Sequence, residues 1–298
     1  MSQLQWDELG EKLYETGVDH GVLFPFNSST KTYDKGVAWS GLTAVNETPS
    51  GGEANDIYAD NIKYLSLYSA EKLGGTIEAY QSPKEFDECD GTAEPAPGMK
   101  IYQQTRKSFG FAYRSRIGND TEGDAYGYKL HILYGCKASP SERGYSTMNE
   151  SPEAITFSWT ISTDPVNIPG FKPTSLITLD STDFDTVEKQ AKLAQIEGML
   201  FGTENSDSTL PTPAQIMEIL NGETETVTLT FNANGHGTAP AAQTIVKGGV
   251  PVIPEAPTAE GWDFGGWFNE AECTTQYIYS EPLTADKTVY AKWTEAEG

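Results

Sequence analysis

General-base or nucleophilic chemistry in this chain would have to pass through one of three histidines, His20, His131 and His236. A Ser or Cys nucleophile needs a histidine beside it, and that histidine needs an acid behind it. None of the three sits in a recognisable catalytic signature. His131 falls within an alternating strand pattern, His236 in a turn, and His20 in a glycine-flanked N-terminal segment. They read as satisfied or solvated side chains. Carboxylate pairs are abundant, but 43 Asp and Glu in 298 residues place acids together by chance. Asp87-Glu88-Cys89-Asp90-Gly91 reads as a turn, and Asp120-Thr121-Glu122-Gly123-Asp124 lacks the ligand spacing of an EF-hand loop. Gly51-Gly52 and Gly74-Gly75 are isolated pairs, neither a phosphate loop nor a dinucleotide fingerprint. Cys89, Cys136 and Cys273 are odd in number and widely spaced, which suits reduced thiols better than a disulfide framework or a zinc site. The expectation is of no catalytic residue, cofactor or metal. A hydrolase is kept as a distant reading, which loss of an activity on mutating one of the histidines would revive.

Charge narrows the partners. Twenty Lys and Arg against 43 Asp and Glu leave a net charge of −23. Gripping nucleic acid takes clustered cations that displace counterions from phosphate. The densest basic stretch is only Arg106, Lys107, Arg114 and Arg116. Sequence-specific DNA binding is therefore not expected. The acidity serves solubility first; a wall of carboxylates would also let DNA pass without holding it. The N-terminal residues carry neither the positive region nor the apolar run of a signal peptide, and no apolar stretch approaches membrane-spanning length. A soluble chain made in a cytoplasm, with no membrane insertion, is expected.

The elements that must position these residues are mainly β between Gly17 and Asp180. In Ala154–Thr163, Ile155, Phe157, Trp159 and Ile161 point one way, while Thr156, Ser158, Thr160 and Ser162 form an uncharged hydroxyl face. Tyr126, Tyr128, Leu130, Ile132 and Tyr134 alternate similarly, as do Phe109, Phe111 and Tyr113. Further strands are predicted at Ile62–Tyr68, Thr76–Tyr80 and Ser175–Leu179, and a polar loop over Pro49–Asp56. Many short strands with turn-rich joints suggest a sandwich or barrel. A helix is predicted over Phe184–Phe201, with Val187, Ala191, Ala194 and Met199 or Leu200 near one face and Gly202 as its cap. A second begins at Thr212-Pro213-Ala214-Gln215, a capping box with Pro at the first helical position, and stops at Asn221-Gly222. Glu223–Thr226 reads as a linker, and a second, small β-domain follows.

Several ordered blocks carry a resemblance. Gly36-Val37-Ala38-Trp39-Ser40-Gly41-Leu42-Thr43-Ala44-Val45-Asn46-Glu47, Tyr58–Tyr64, Gly75–Tyr80 and Phe86–Gly91 come first. Ile117–Gly123, Tyr126–His131 and Ser151–Trp159 follow. Together they resemble the major tail proteins of long-tailed, non-contractile phages of Gram-positive hosts, over most of residues 17–220. The resemblance implies a β-sandwich subunit that assembles into hexameric rings, which stack into a DNA-conducting tube. It implies as partners further copies of itself, the tape-measure protein and the tail initiator and terminator proteins, with genomic DNA passing through unbound. Its place would be the tail tube of a virion. Gly41–Tyr58, Met1–Gly17 and the helical stretch after Asp180 are the candidates for joining rings, and Thr156, Ser158, Thr160 and Ser162 for the lumen.

Phe231–Gly235, Pro251–Pro257, Gly261-Trp262-Asp263-Phe264-Gly265-Gly266-Trp267 and Val289–Trp293 are separately similar to the Listeria–Bacteroides repeat, or internalin B-repeat, over nearly all of residues 226–293. That resemblance implies a small β-grasp-like module of a kind found on surface proteins. Trp262, Phe264, Trp267 and Trp293 offer large rings to a domain too short for a generous aliphatic core, so an aromatic core is expected ahead of a glycan platform. The expected fold is mainly β with α elements: a tail-tube-type β-sandwich over 1–222, and a β-grasp-like domain over 223–298 displayed on the tube exterior. The alternative is a surface adhesin whose C-terminal repeat binds a host-surface ligand.

Overall fold

The computed structural model describes residues 5–147, 153–222 and 225–296. Of the residues read above, Met1–Leu4, Ser151-Pro152 and Glu223-Thr224 lie outside these. The chain is mainly β and divides into two compact units, Met1–Asp183 with Ala194–Ile219, and Phe184–Leu193 with Leu220–Gly298.

In the first unit the strands are β1 Tyr14–Asn27, β2 Thr32–Tyr33, β3 Val37–Trp39, β4 Leu42–Ser50, β5 Ala54–Ala59, β6 Ile62–Tyr68 and β7 Lys72–Ala79. The one-turn helix α1, Asp87–Asp90, leads to β8 Ala93–Ala96, β9 Met99–Ile101, β10 Phe109–Asn119, β11 Gly123–Ala138, β12 Phe157–Thr163 and β13 Leu176–Asp180. Nine of these strands make one sheet, ordered β2-β1-β10-β11-β12-β7-β4, with β3 added to β1 and β13 to β11. The sheet can curl because β11 changes partner part-way. Lys129–Leu133 pair with β13, whereas Cys136–Ala138 pair with β12. Gly135 between them has φ +61°, and a Cβ there would stand 2.3 Å from the Asp164 carbonyl oxygen. Only glycine fits that bend.

Curling brings β3 and β10 over β7 and β12. Trp39 meets Trp159 edge-on at 5.4 Å, and Phe86 lies against Trp39, Phe109 and Trp159. Leu23, Ile77, Ile161, Cys89 and Cys136 complete this core. The two thiols are unpaired, and burial pushes that of Cys89 up to about 12, so they act as small apolar side chains.

Phe109, Phe111 and Tyr113 lie in this core as expected, but Gly110 and Ala112 between them are buried as well. The reason is a second layer. Tyr134 Oη donates to the Pro211 carbonyl at 2.9 Å, Tyr128 Oη donates to Glu197 at 2.6 Å, and Leu210 fills the space a Cβ on Gly110 would need. Strands covered on both faces lose strict alternation.

Helix α2 runs Val187–Phe201 and α3 runs Pro213–Asn221. The face read for α2 is corrected in part: Leu200 is buried and Ala191 half-buried, as read. Val187 and Ala194 are exposed, and the buried residues are Leu193, Ile196 and Leu200, spaced three and four apart with longer side chains. Gly202, at φ +78°, ends the helix in the left-handed conformation. The capping box at α3 forms: Gln215 N–H donates to Thr212 Oγ1 at 3.3 Å, and Thr212 N–H to Gln215 Oε1 at 2.9 Å.

In the second unit, β14 Thr226–Asn232, β15 Gln243–Val246, β16 Trp262–Phe268 and β17 Lys287–Glu295 make a sheet ordered β15-β14-β17-β16. Its central pair, β14 and β17, is parallel and both outer pairs are antiparallel, which is the strand order of a β-grasp. Leu229, Phe231, Trp267, Val289 and Ala291 form its core.

Candidate functional site

The largest departure from a self-contained surface is a β-arm. Among the described residues, 54–68 pair only with one another, β5 against β6, as a two-stranded sheet beyond the β4–β7 ladder. Asp60 and Asn61 both have positive φ, +51° and +61°, between the closing pair Ala59 and Ile62. That is the two-residue turn whose twist suits a hairpin. Cross-strand links are few: Ser66 Oγ donates to Asp56, and Lys63 pairs with the same carboxylate at 2.7 Å. Along this short ribbon Ile57, Tyr58, Ile62, Tyr64, Leu65, Leu67 and Tyr68 are all exposed, with Tyr64 at 68% and Tyr68 at 73%. Leu65 and Leu67 share one side and Tyr68 takes the other, with Tyr64 at a register shift, so neither face is buried. An isolated hairpin is marginal in water, and contiguous apolar exposure marks a contact surface.

Two earlier expectations change here. Pro49–Asp56, read as a loop, carries the ends of β4 and β5 around a Gly51-Gly52 turn, and the ring-joining candidate Gly41–Tyr58 is a ladder plus half of the arm. The Asp60-Asn61 turn was the available signal for a hairpin. The strand expected over Ile62–Tyr68 is β6, with the same bounds, but its partner β5 was missed because Pro49–Asp56 read as a polar loop.

The N-terminal segment is a second exposed apolar stretch, with Trp6, Leu9, Leu13 and Tyr14 open to solvent. Ahead of β1 it is fastened to the Asn119-Asp120 turn, where Lys12 also pairs with Asp120 at 3.9 Å. Gly10 N–H donates to Asp120 at 2.9 Å, and Asn119 Nδ2 donates to the Gly10 carbonyl at 3.2 Å. The Asp120–Asp124 loop, which lacks EF-hand spacing, is thus a docking point for the segment; the described residues hold no cluster of His, Cys, Asp and Glu suited to a metal.

The hydroxyl face is present. Thr156, Thr160 and Ser162 are exposed and Ser158 is half-buried, opposite Trp159 and Ile161. Thr76 and Glu78 continue it on β7, and Asn46 on β4, where its amide donates to Thr76 Oγ1 at 3.0 Å. Of the cations on that side, Lys137 pairs with Asp164 at 2.5 Å, and Lys72 at the start of β7 is exposed. The basic stretch is also largely cancelled. Asp19 accepts from Arg114 at 2.9 Å and from Arg116 at 3.2 Å, and Lys107 pairs with Glu88. Burial raises the Asp19 carboxyl, but the hydrogen bonds from Arg114 and His20 outweigh it and hold the group below the usual range.

One polar cluster escaped the sequence reading. Ser115 Oγ lies 3.0 Å from His131 Nε2, and His131 Nδ1 lies 3.3 Å from Glu47 Oε1. The atom order is that of a nucleophile, a base and an acid. The packing is that of a clamp. The Tyr113 ring stacks flat on the imidazole at 4.5 Å, and its hydroxyl takes the same Glu47 oxygen at 2.7 Å. His131 beside it is the main cause that lowers the Glu47 carboxyl, burial opposes, and Tyr113 adds to the lowering. Burial and the Glu47 charge push Tyr113 far up, so its hydroxyl stays a donor. The clamp ties β4 across the fold to β10 and β11. His20, by contrast, lies against Asp19 at 2.7 Å with φ +51°, at a bulge in β1.

In the second unit Trp267 is 4% exposed and packs on Phe231 at 4.9 Å and Phe264 at 5.4 Å. In an unbroken strand, residues 264 and 267 would face opposite ways. A register shift between Phe264 and Trp267, with Gly266 at φ +106°, turns both inward. Trp293 packs on Phe264 at 5.6 Å and anchors its indole N–H to the Ala233 carbonyl at 2.8 Å. Trp262 does not join them. It is half-buried outside the core and lies 3.9 Å from the His236 ring. The expected four-ring core is therefore corrected to three rings: Trp262 is the first residue of β16 and lies against His236 instead. Residues 228–292 match the family model of the Listeria-Bacteroides repeat domain. The repeat domain runs from β14 into β17, and the four strands with the aromatic cluster are its framework. No curated protein matches the chain.

Proposed function

We propose that this chain is a structural subunit that polymerises, its rings stacking into the tail tube of a long-tailed phage. The observation that carries this is the β-arm: seven large apolar side chains between Ile57 and Tyr68 are exposed on both faces of a hairpin that none of the described residues of the first unit covers. Their occupant, in this reading, is a second copy of the chain, which also receives the exposed N-terminal residues Trp6 and Leu9. The resemblance of residues 17–220 to phage major tail proteins supplies the form of the assembly, hexameric rings in a stack. The face bearing Thr156, Ser158, Thr160 and Ser162 lines the lumen, where neutral hydroxyls let phosphate slide. The repeat domain decorates the exterior, since a module in the lumen would obstruct DNA. Partners are the tape-measure, initiator and terminator proteins, the setting is the virion, and no catalytic role is assigned.

Light scattering and electron microscopy across a concentration series test this. Rings and tubes are expected; a chain that stays monomeric even with its initiator complex overturns it. The half-exposed Trp262–His236 pair favours one second reading, an adhesin that binds a host ligand through the repeat domain. An adhesin would bind cells as a monomer.

A further inference from the structure

A cleft of about 400 Å³ opens between the segment after β9 and the one after β11, lined by Asp90, Tyr102, Arg106, Arg143, Tyr145 and Trp159 among others. Arg106 is unlike the other three arginines. Arg114 and Arg116 pair with Asp19, and Arg143 pairs with Asp90. Among the described residues Arg106 has no acceptor, and its Nε is closed to water as well. The side chain is nevertheless held in place: its Cζ lies 3.1 Å and its Cγ 3.3 Å from where a Cβ on Gly91 would be. Gly91 has φ +81°, so the close approach is built into the backbone. Arg143 stands over the Tyr102 ring at 5.3 Å, giving the cleft a second guanidinium.

We propose that this cleft binds a single carboxylate carried on an apolar or aromatic stem. A positioned, partly dehydrated guanidinium attracts an oxyanion strongly, and its planar fork matches carboxylate geometry. Tyr145 and Trp159 offer the stem an aromatic wall. The Asp90 carboxylate in the lining disfavours a dianionic phosphate and leaves room for one negative charge. The proposal stands on the cleft alone, independent of the tube reading. The carboxylate comes either from a free small acid or from an acidic side chain of a second copy.

Equilibrium dialysis of the full chain against radiolabelled benzoate tests it in any state of assembly. One saturable site per chain is expected, with no competition from benzyl alcohol. Arg106→Gln should weaken binding tenfold or more, Arg106→Lys should retain part of it, and Lys107→Gln should leave it unchanged, with circular dichroism confirming that each variant is folded. If benzoate also lowers the sedimenting fraction and Arg106→Gln does the same, the natural carboxylate belongs to a second copy. If binding is normal and sedimentation is indifferent to both, it is a free acid. No saturable binding, or binding equal in wild type and Arg106→Gln, overturns the proposal.

Discussion

Replacing Trp267 with Ala should unfold the repeat domain, while replacing Trp262 with Ala should barely disturb it. Trp267 is 4% exposed and wedged between Phe231 and Phe264. Truncating a ring so enclosed costs about 3–5 kcal/mol, transfer and cavity together. Trp262 is half-buried, and its ring contact is His236 alone, a pairing that contributes about 0.5–1.5 kcal/mol. A domain of some 70 residues has roughly 4–10 kcal/mol in all, so the first loss is comparable with the whole and the second is not. With about 4–8 °C of Tm per kcal/mol at this size, Trp262→Ala should lower the domain's transition by roughly 10 °C or less. Trp267→Ala should abolish the transition, or move it by about 15 °C or more. Differential scanning calorimetry of the full chain reads both, since the transition of the first unit serves as an internal standard. Equal shifts for the two variants would refute the division between core and surface rings.

The clamp makes a pH prediction. The folded-state pKa of Glu47 is depressed, so its stabilisation is fully present above the unfolded value near 4.5 and is lost as pH falls through the folded value. Glu47→Gln should cost about 1–2 kcal/mol near neutral pH, discounted for half exposure, and flatten the acid limb of urea midpoints measured from pH 3 to 7. Thr212→Ala removes one half of a formed capping box and should cost about 0.5–2 kcal/mol, read as a lower urea midpoint; Thr212→Ser should restore it. Deleting residues 225–298 should leave assembly intact and give tubes of equal length with a thinner profile in negative stain. Truncated protein that cannot form tubes would make the repeat domain part of the wall.

What the sequence disclosed follows from how each element is solvated. Phe157–Thr163 is covered on one face only, so Trp159 and Ile161 alternate with Thr160 and Ser162 and the strand is legible. Thr212 and Gln215 interact within one helical turn, so their cap is legible as well. The repeat domain was recognisable because its glycines and rings have fixed spacing. Of the arm, Ile62–Tyr68 was legible as a strand, whereas Ala54–Ala59 was not, since its polar start reads as loop and its side chains are largely exposed. The buried face of α2 was misjudged because it depends on which side meets β11 and its neighbours. The cluster of Ser115, His131 and Glu47 could not be read either, as β4 reaches β10 only through the curl that Gly135 permits.

The central claim is that the arm joins copies of this chain, and excising the arm tests it most directly. Ser69 N–H donates to the Glu53 carbonyl at 3.1 Å, so the base of the arm is already closed. Replacing Ala54–Tyr68 with an Asn-Gly turn leaves the β4–β7 ladder, the core around Trp39 and the Glu47 clamp in place. Sedimentation velocity and negative-stain microscopy of both proteins, at equal concentration and with the same initiator complex, give the answer. The expected result is tubes from the full chain and only folded monomers or unstacked rings from the arm-less chain. Tubes of the same length from both proteins would contradict the claim.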